Sequence, residues 1–254
     1  MIIRNFSVGD KIDVAGLNRI NVLVDRSEAA FVEIGYNEWP NILKGPPHLH
    51  EEKDQVFFVL QGIGKVVANG KAYPAIPGNI IHLPACTQHQ TISESNEPLG
   101  YLLLNIFNST TKEGHRSFAE HLELVKETRS RQAQSQQSGF HTAKVPKPKF
   151  GESFFSQVTP ASGEPESLLD FEQTDRFALY TQSLAHGDDS LEDSLSGIER
   201  ALFIISGAGR TRSGKEDRSL EKGDLVFYPE GTSYEIQPGP EGLSFLRLDA
   251  HTRP

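Results

Sequence analysis

Cysteine is all but missing from this chain. Cys86 is the only one in 254 residues, so no internal disulfide can form, which suits a reducing compartment. Long apolar runs are missing too. No stretch approaches the roughly 18 residues that a membrane-spanning helix needs, and mean hydropathy is −0.41. Positive charge is scarce: 25 Lys and Arg face 34 Asp and Glu, a formal charge of −9, whereas binding nucleic-acid phosphate takes clustered cations. Nor does the start, Met1-Ile2-Ile3-Arg4-Asn5-Phe6, carry the basic, apolar and small-residue succession of a secretory signal. These deficits predict a cytoplasmic protein with neither a nucleic-acid nor a membrane partner. A hydrophobic content of 37% with 15 Phe supplies a core, and the length fits one large domain or two modest ones.

What is present is a series of short apolar segments cut by Gly and Pro. Ala30-Phe31-Val32-Glu33-Ile34-Gly35-Tyr36 reads as a strand. Lys65-Val66-Val67-Ala68 and Lys71-Ala72-Tyr73 flank Asn69-Gly70, a strong short-range hairpin signal. Pro77-Gly78 and Asn96-Glu97-Pro98 mark further turns. Punctuation at such short intervals predicts an antiparallel barrel or sandwich. From about residue 115 the texture changes, because Phe118, His121, Leu122 and Val125 recur at helical spacing. A helix is predicted over residues 116–136, ended by Ser138-Gly139. A Pro- and Lys-rich linker over 144–149 follows, since proline blocks both helix and ladder pairing.

Beyond the linker the first pattern returns. Gly207-Ala208-Gly209 lies 145 residues after Gly62-Ile63-Gly64 (207 − 62 = 145). The same offset carries Gly78-Asn79 to Gly223-Asp224, Pro84 to Pro229, and Val32-Glu33-Ile34 to Phe177-Ala178-Leu179. A constant offset through several turns is internal duplication.

The chemistry concentrates in residues 45–89. His48 and His50, two apart on an extended segment, face the same way. Gln55 opens the apolar run Val56-Phe57-Phe58-Val59-Leu60, and His89 follows Pro84 in a short loop. Three imidazoles and an amide oxygen meeting inside a small barrel make a shell for one divalent metal ion. Gln55 is either the fourth ligand or a hydrogen-bond partner of a neighbouring histidine, with water completing the shell. Histidine and amide ligands suit Mn, Fe, Co, Ni or Zn. In the second copy the offset places Asp193, Leu195, Arg200 and Tyr234 at the four positions. A guanidinium offers only donors and stays charged, so the second copy is expected to hold no ion. Glu51-Glu52-Lys53-Asp54 reads as a solvated turn. His82, His115, His121, His141, His186 and His251 fall outside the ligand set.

The first segment, Pro47-His48-Leu49-His50 through Gln55 to Gly62, and the second, Pro77-Gly78-Asn79 through Pro84 to His89, resemble the two motifs of the cupin superfamily. The duplication resembles a bicupin. The resemblance implies an all-β fold of two tandem cupin (jelly-roll) barrels: residues 1–110 with the metal site, 111–150 as helix and linker, and 151–254 as a degenerate copy. Metal cupins mostly have Glu where this chain has Gln55. A neutral amide leaves the ion its full charge, which strengthens its Lewis acidity and favours anionic substrates. Cupins host many functions, so activity stays an expectation. The first reading is a metal-dependent isomerase or lyase acting without redox chemistry on a small anionic carbonyl compound or sugar acid. The alternatives are an iron-dependent dioxygenase and a non-catalytic ligand-binding or regulatory bicupin. Either a monomer or a homodimer is compatible.

Overall fold

In chain order the strands are β1 (Ile2–Asn5), β2 (Ile12–Val14), β3 (Asn18–Val24), β4 (Val32–Trp39), β5 (Lys53–Gln61), β6 (Gly64–Ala68), β7 (Lys71–Ala75), β8 (Ile80–Leu83), β9 (His89–Ser93) and β10 (Leu99–Phe107). Helix α1 (Phe118–Gln134) and β11 (Ser153–Phe155) follow, then β12 (Glu166–Leu169) and the one-turn helix α2 (Phe171–Thr174). The last are β13 (Phe177–Leu184), β14 (Leu191–Ser194), β15 (Ile198–Ser213), β16 (Glu216–Glu221), β17 (Asp224–Tyr228) and β18 (Ser233–His251). This computed structural model describes residues 1–14, 16–112, 116–134 and 147–251, with backbone alone for 128–134. The expected helix end at Ser138-Gly139, the first half of the linker (144–146), His115 and His141 lie outside those residues.

All pairing among named strands is antiparallel, and the chain divides into two units. One, Asp10–Glu28 with Val32–Val158, holds a seven-stranded sheet in the order β11-β8-β5-β10-β4-β3-β2 and a three-stranded sheet β7-β6-β9. The other, Met1–Gly9, Ala29–Phe31 and Thr159–Pro254, is built on β1-β17-β15-β18-β13-β12. Neither unit is contiguous in sequence. The duplication is visible strand by strand: β13 starts and ends 145 residues after β4 (177 − 32 = 145 and 184 − 39 = 145). In the second unit β15 runs unbroken where the first has β5 and β6. It bends instead through register shifts at Ile204/Ser206 and Gly207/Gly209. The turn glycines carry the same conformation in both copies. Gly62 and Gly207 have φ of 73° and 78°, and Gly78 and Gly223 have 89° and 90°, a region L-residues with a Cβ avoid.

Side chains alternate along these strands, and the cores follow. In the first unit Trp39, Phe57, Val59, Val66, Tyr73, Ile81 and Leu103 fill the barrel. Every residue of β10 is buried, which explains why Leu102-Leu103-Leu104 need not alternate with polar residues: both faces are covered. The Asn69-Gly70 turn joins β6 to β7 with Ala68 opposite Lys71. Both turn residues have positive φ, 46° and 84°, as a type I′ turn requires. Helix α1 places Phe118 and Leu122 against Val14 and Ile20, so its apolar stripe closes over the β2–β3 hairpin.

Each unit completes its sheet with a strand that the sequence order would not assign to it. Strand β1 pairs with β17, Ile2 opposite Phe227 and Asn5 opposite Asp224. Strand β11 pairs with β8, Ser153 opposite His82. Met1 and Ile3 pack on the core formed by Leu202, Val226 and Phe245. Deleting residues 1–9 is therefore expected to destabilise the C-terminal unit by about 2–4 kcal/mol, from the apolar side chains it uncovers. Urea denaturation followed by circular dichroism reads this, and an unshifted midpoint would refute it.

Candidate metal centre

The segment before β5 is extended but pairs only at isolated points, Lys44 with Ile92 and His48 with His89. Pro46 and Pro47 have no N–H to donate, so a regular ladder cannot form there. The single bridge is enough to set the site. His48 N donates to His89 O at 2.9 Å and His89 N to His48 O at 2.8 Å, which locks the two histidines side by side. Cys86 N donates to His50 O at 2.6 Å and ties down the third.

The nitrogen ligand atoms of His48, His50 and His89 all lie within 4.8 Å of one another. Their ring centroids are 4.4 Å (His48–His89), 5.1 Å (His48–His50) and 5.7 Å (His50–His89) apart. His48 Nδ1 lies 3.1 Å from Pro46 O, and His89 Nδ1 lies 2.9 Å from Thr87 O. A carbonyl only accepts, so Nδ1 carries a proton in both rings, and in the neutral imidazole Nε2 is the nitrogen with the lone pair for a cation. Burial lowers the His50 pKa well below the usual imidazole value, with Lys53, His48 and His89 adding to it. Burial, with His48 next, brings His89 down to about 3. Both rings are thus held neutral, the form that binds a cation.

Gln55 enters the same cavity from β5. Its Nε2 donates to Asn105 Oδ1 at 2.9 Å, while its Oε1 is buried without a hydrogen-bond partner. An orphaned buried carbonyl costs about 1–3 kcal/mol, a cost that a bound cation would remove. Three imidazoles and this oxygen, a donor set without a carboxylate, fit a divalent metal ion.

The centre opens into a cavity of about 520 Å³. Trp39, Phe57, Tyr101 and Leu103 form its apolar wall, and Phe118, His121, Leu124 and Val125 of α1 its rim. Trp39 Nε1 and Asn37 Nδ2 donate to Tyr101 Oη at 2.8 and 2.9 Å. Burial raises the Tyr101 phenol to about 12, so it stays protonated. The ring stacks on Phe57 with centroids 4.5 Å apart.

Two parts of the wall escaped the sequence reading. The expected solvated turn at residues 51–54 ends two residues early, because Lys53 begins β5 and is 3% exposed. Its alternation with Gln55 turns it into the cavity, and burial lowers its pKa. Asp54 does not face solvent freely either: it accepts from Ala85 N at 2.8 Å and sits 3.0 Å from His82 Nε2. His121 is the other, since it lines the cavity instead of lying outside the site. Its helical spacing from Phe118 and Val125 was the available signal.

In the second unit the corresponding place is filled by protein. Arg200, 1% exposed, gives Asp249 a bidentate pair, Nε to Oδ1 at 2.5 Å and Nη2 to Oδ2 at 2.8 Å. Its Nη1 donates to Asp193 and to the Tyr234 hydroxyl. Burial opposes the charge on Arg200, but Asp249 outweighs it and the guanidinium pKa is raised. Three of these residues, Asp193, Arg200 and Tyr234, are the ones the duplication sets opposite His48, Gln55 and His89.

Comparison with known proteins agrees with this architecture. Residues 39–105 match the family described as Cupin domain. The chain has the fold of protein Ylba from E. coli, at 13% identity and a TM-score of 0.70 over 99% of this chain and 91% of that one. It is similar too to the 11S globulin from Wrightia tinctoria (14%, 0.67, 99% and 84%). A third likeness is oxalate decarboxylase from Lactobacillus farciminis (14%, 0.63, 100% and 87%). None of the curated proteins matches the sequence. The family match covers part of the first barrel, and the likeness to these solved structures shows the fold over the whole chain, two tandem jelly-roll barrels in one polypeptide. Among the described residues no helix is long and apolar enough to cross a membrane.

Proposed function

We propose that this bicupin is a metal-dependent enzyme of the isomerase or lyase type, acting without net redox chemistry on a small anionic carbonyl compound such as a keto acid or sugar acid. The observation that carries the reading is the convergence of His48, His50 and His89 in one cavity with Gln55, whose buried oxygen has no hydrogen-bond partner. A bound divalent ion would supply Lewis acidity, polarising a substrate carbonyl and stabilising negative charge that develops on its oxygen.

The protein's own charges support an anionic substrate. Its ligand set of imidazoles and an amide brings no negative charge. Glu33 is paired with Arg26 at 2.5 Å, and Lys53 has Glu52 at 3.8 Å. These pairs cancel, so the ion's two positive charges are left for the substrate to neutralise. Phe57 and Leu103 line the same cavity and exclude water from it. Tyr101, kept protonated, serves as a donor rather than a base. Oxalate decarboxylase, which shares the fold, acts by its name on a small anion.

The test is to purify the protein without added metal, measure its metal content, and assay keto acids and sugar acids with and without oxygen. One divalent ion per chain and oxygen-independent turnover are expected. Oxygen uptake stoichiometric with product would overturn the non-redox reading, and absence of any bound ion would overturn the site itself. Trp39 is the only tryptophan and lines the cavity, so its fluorescence reports binding directly.

A further inference from the structure

Three polar side chains cross the first barrel's sheet in a line. Glu33 on β4, Asn105 on β10 and Gln55 on β5 are direct cross-strand neighbours, each no more than 5% exposed. Arg26 Nε donates to Glu33 Oε2 at 2.5 Å, Asn105 Nδ2 to Glu33 Oε1 at 3.0 Å, and Gln55 Nε2 to Asn105 Oδ1 at 2.9 Å. A side-chain amide taken alone can present either end. Here neither can turn, because a carboxylate paired with a guanidinium only accepts. Asn105 must give Glu33 its NH₂, so it shows Gln55 its oxygen. Gln55 must then give its own NH₂, and its carbonyl oxygen faces the other way.

The second barrel is an internal comparison. There the register sets Ala178 opposite Asp249 and Asp249 opposite Arg200. Asp249 thus takes the place of Asn105, an offset of 144 in this last strand (249 − 105 = 144). The direction of donation is kept, from Arg200 to Asp249. A carboxylate in the middle position needs nothing to fix its polarity, and the place of Glu33 is an alanine. The carboxylate at the end of the line appears where the middle residue is an amide.

We propose that Glu33 and Asn105 are positioning residues that hold Gln55 with its oxygen presented to the cation, and that Glu33 is why an amide rather than a carboxylate fits at position 55. The inference rests on the metal reading above. A glutamate at 55 would face an Asn105 oxygen already committed by Glu33, and two buried carboxylates would compete for one amide donor group. Exchanging the two residues, Glu33→Gln with Gln55→Glu, inverts the line with every donor facing an acceptor.

Mn²⁺ titration followed by electron paramagnetic resonance and Trp39 fluorescence tests this, with thermal unfolding measured in parallel. Asn105→Leu is expected to weaken Mn²⁺ binding about 10–100-fold, the usual range for partners that orient a metal ligand. In a Gln55→Ala background the same substitution should change affinity no further. A loss of equal size in that background, or no loss in the parent, overturns the proposal. Glu33→Gln serves in the same cycle if Asn105→Leu does not fold. Independently of metal, the exchanged double variant should melt above Gln55→Glu alone, and a lower melting point counts against the relay. Wild-type protein that takes up no Mn²⁺ overturns the metal reading. Normal uptake with an unaltered Asn105→Leu affinity overturns the relay alone.

Discussion

In the His48→Ala variant, bound divalent metal is expected to fall from one ion per chain to buffer background, with the fold retained. His48 is the exposed member of the triad, so its ring adds little to the core and its loss opens no cavity. Its backbone bridge to His89 uses main-chain atoms and survives the substitution. What disappears is one of three imidazole nitrogens within 4.8 Å of each other. Changing a residue that merely orients a ligand weakens metal binding about 10–100-fold, and removing a ligand outright should exceed that. Metal analysis after desalting is the measurement, with circular dichroism confirming the fold. Metal content equal to wild type would mean that the ion, if bound, sits elsewhere.

Arg200→Met should be the most damaging substitution in the second barrel. The guanidinium answers Asp249, whose side chain is 4% exposed, and Asp193, whose side chain is 39% exposed. Removing one partner of a buried ion pair costs about 3–5 kcal/mol, because the other is left charged and desolvated. Arg247 also reaches Asp249, with Nε at 3.0 Å from both oxygens, which places the loss near the lower end. Urea denaturation is expected to show a midpoint shifted down by that amount, with no change in metal content. Combining Arg200→Met with Asp249→Leu should recover part of it, since well-packed apolar replacements of buried pairs are often neutral. An unshifted midpoint in the single variant would show that Arg200 is not structural.

The duplication was legible because turns need specific residues. Gly62 and Gly207, or Gly78 and Gly223, occupy positive φ in both copies, so their spacing survives when little else does. The histidines were legible for a similar reason: their chemistry has few alternatives. Lys53 was not, because a lysine beside Glu51, Glu52 and Asp54 resembles any solvated charge run, and only the start of β5 turns it inward. Glu33 lay in a run already read as a strand, and Asn105 sits in the wholly buried β10. Their signal was present, since a polar residue in a strand covered on both faces has to find a partner. Naming that partner takes the register between strands, which the sequence does not print. The exchange of β1 and β11 was invisible for a plainer reason: strands of four and three residues carry no mark of the sheet they join.

That exchange has a consequence in time. Strand β1 leaves the ribosome ahead of the other strands described, yet its partner Phe227 follows Ile2 by 225 residues (227 − 2 = 225). At about 5–20 residues per second, the nascent β1 segment waits roughly 10–45 s before its place in the C-terminal unit exists. The N-terminal unit has no such delay, because its last strand, β11, arrives by Phe155. The histidine barrel can therefore close while the other half is still being translated, and β1, made before either sheet, is among the last strands to find its seat.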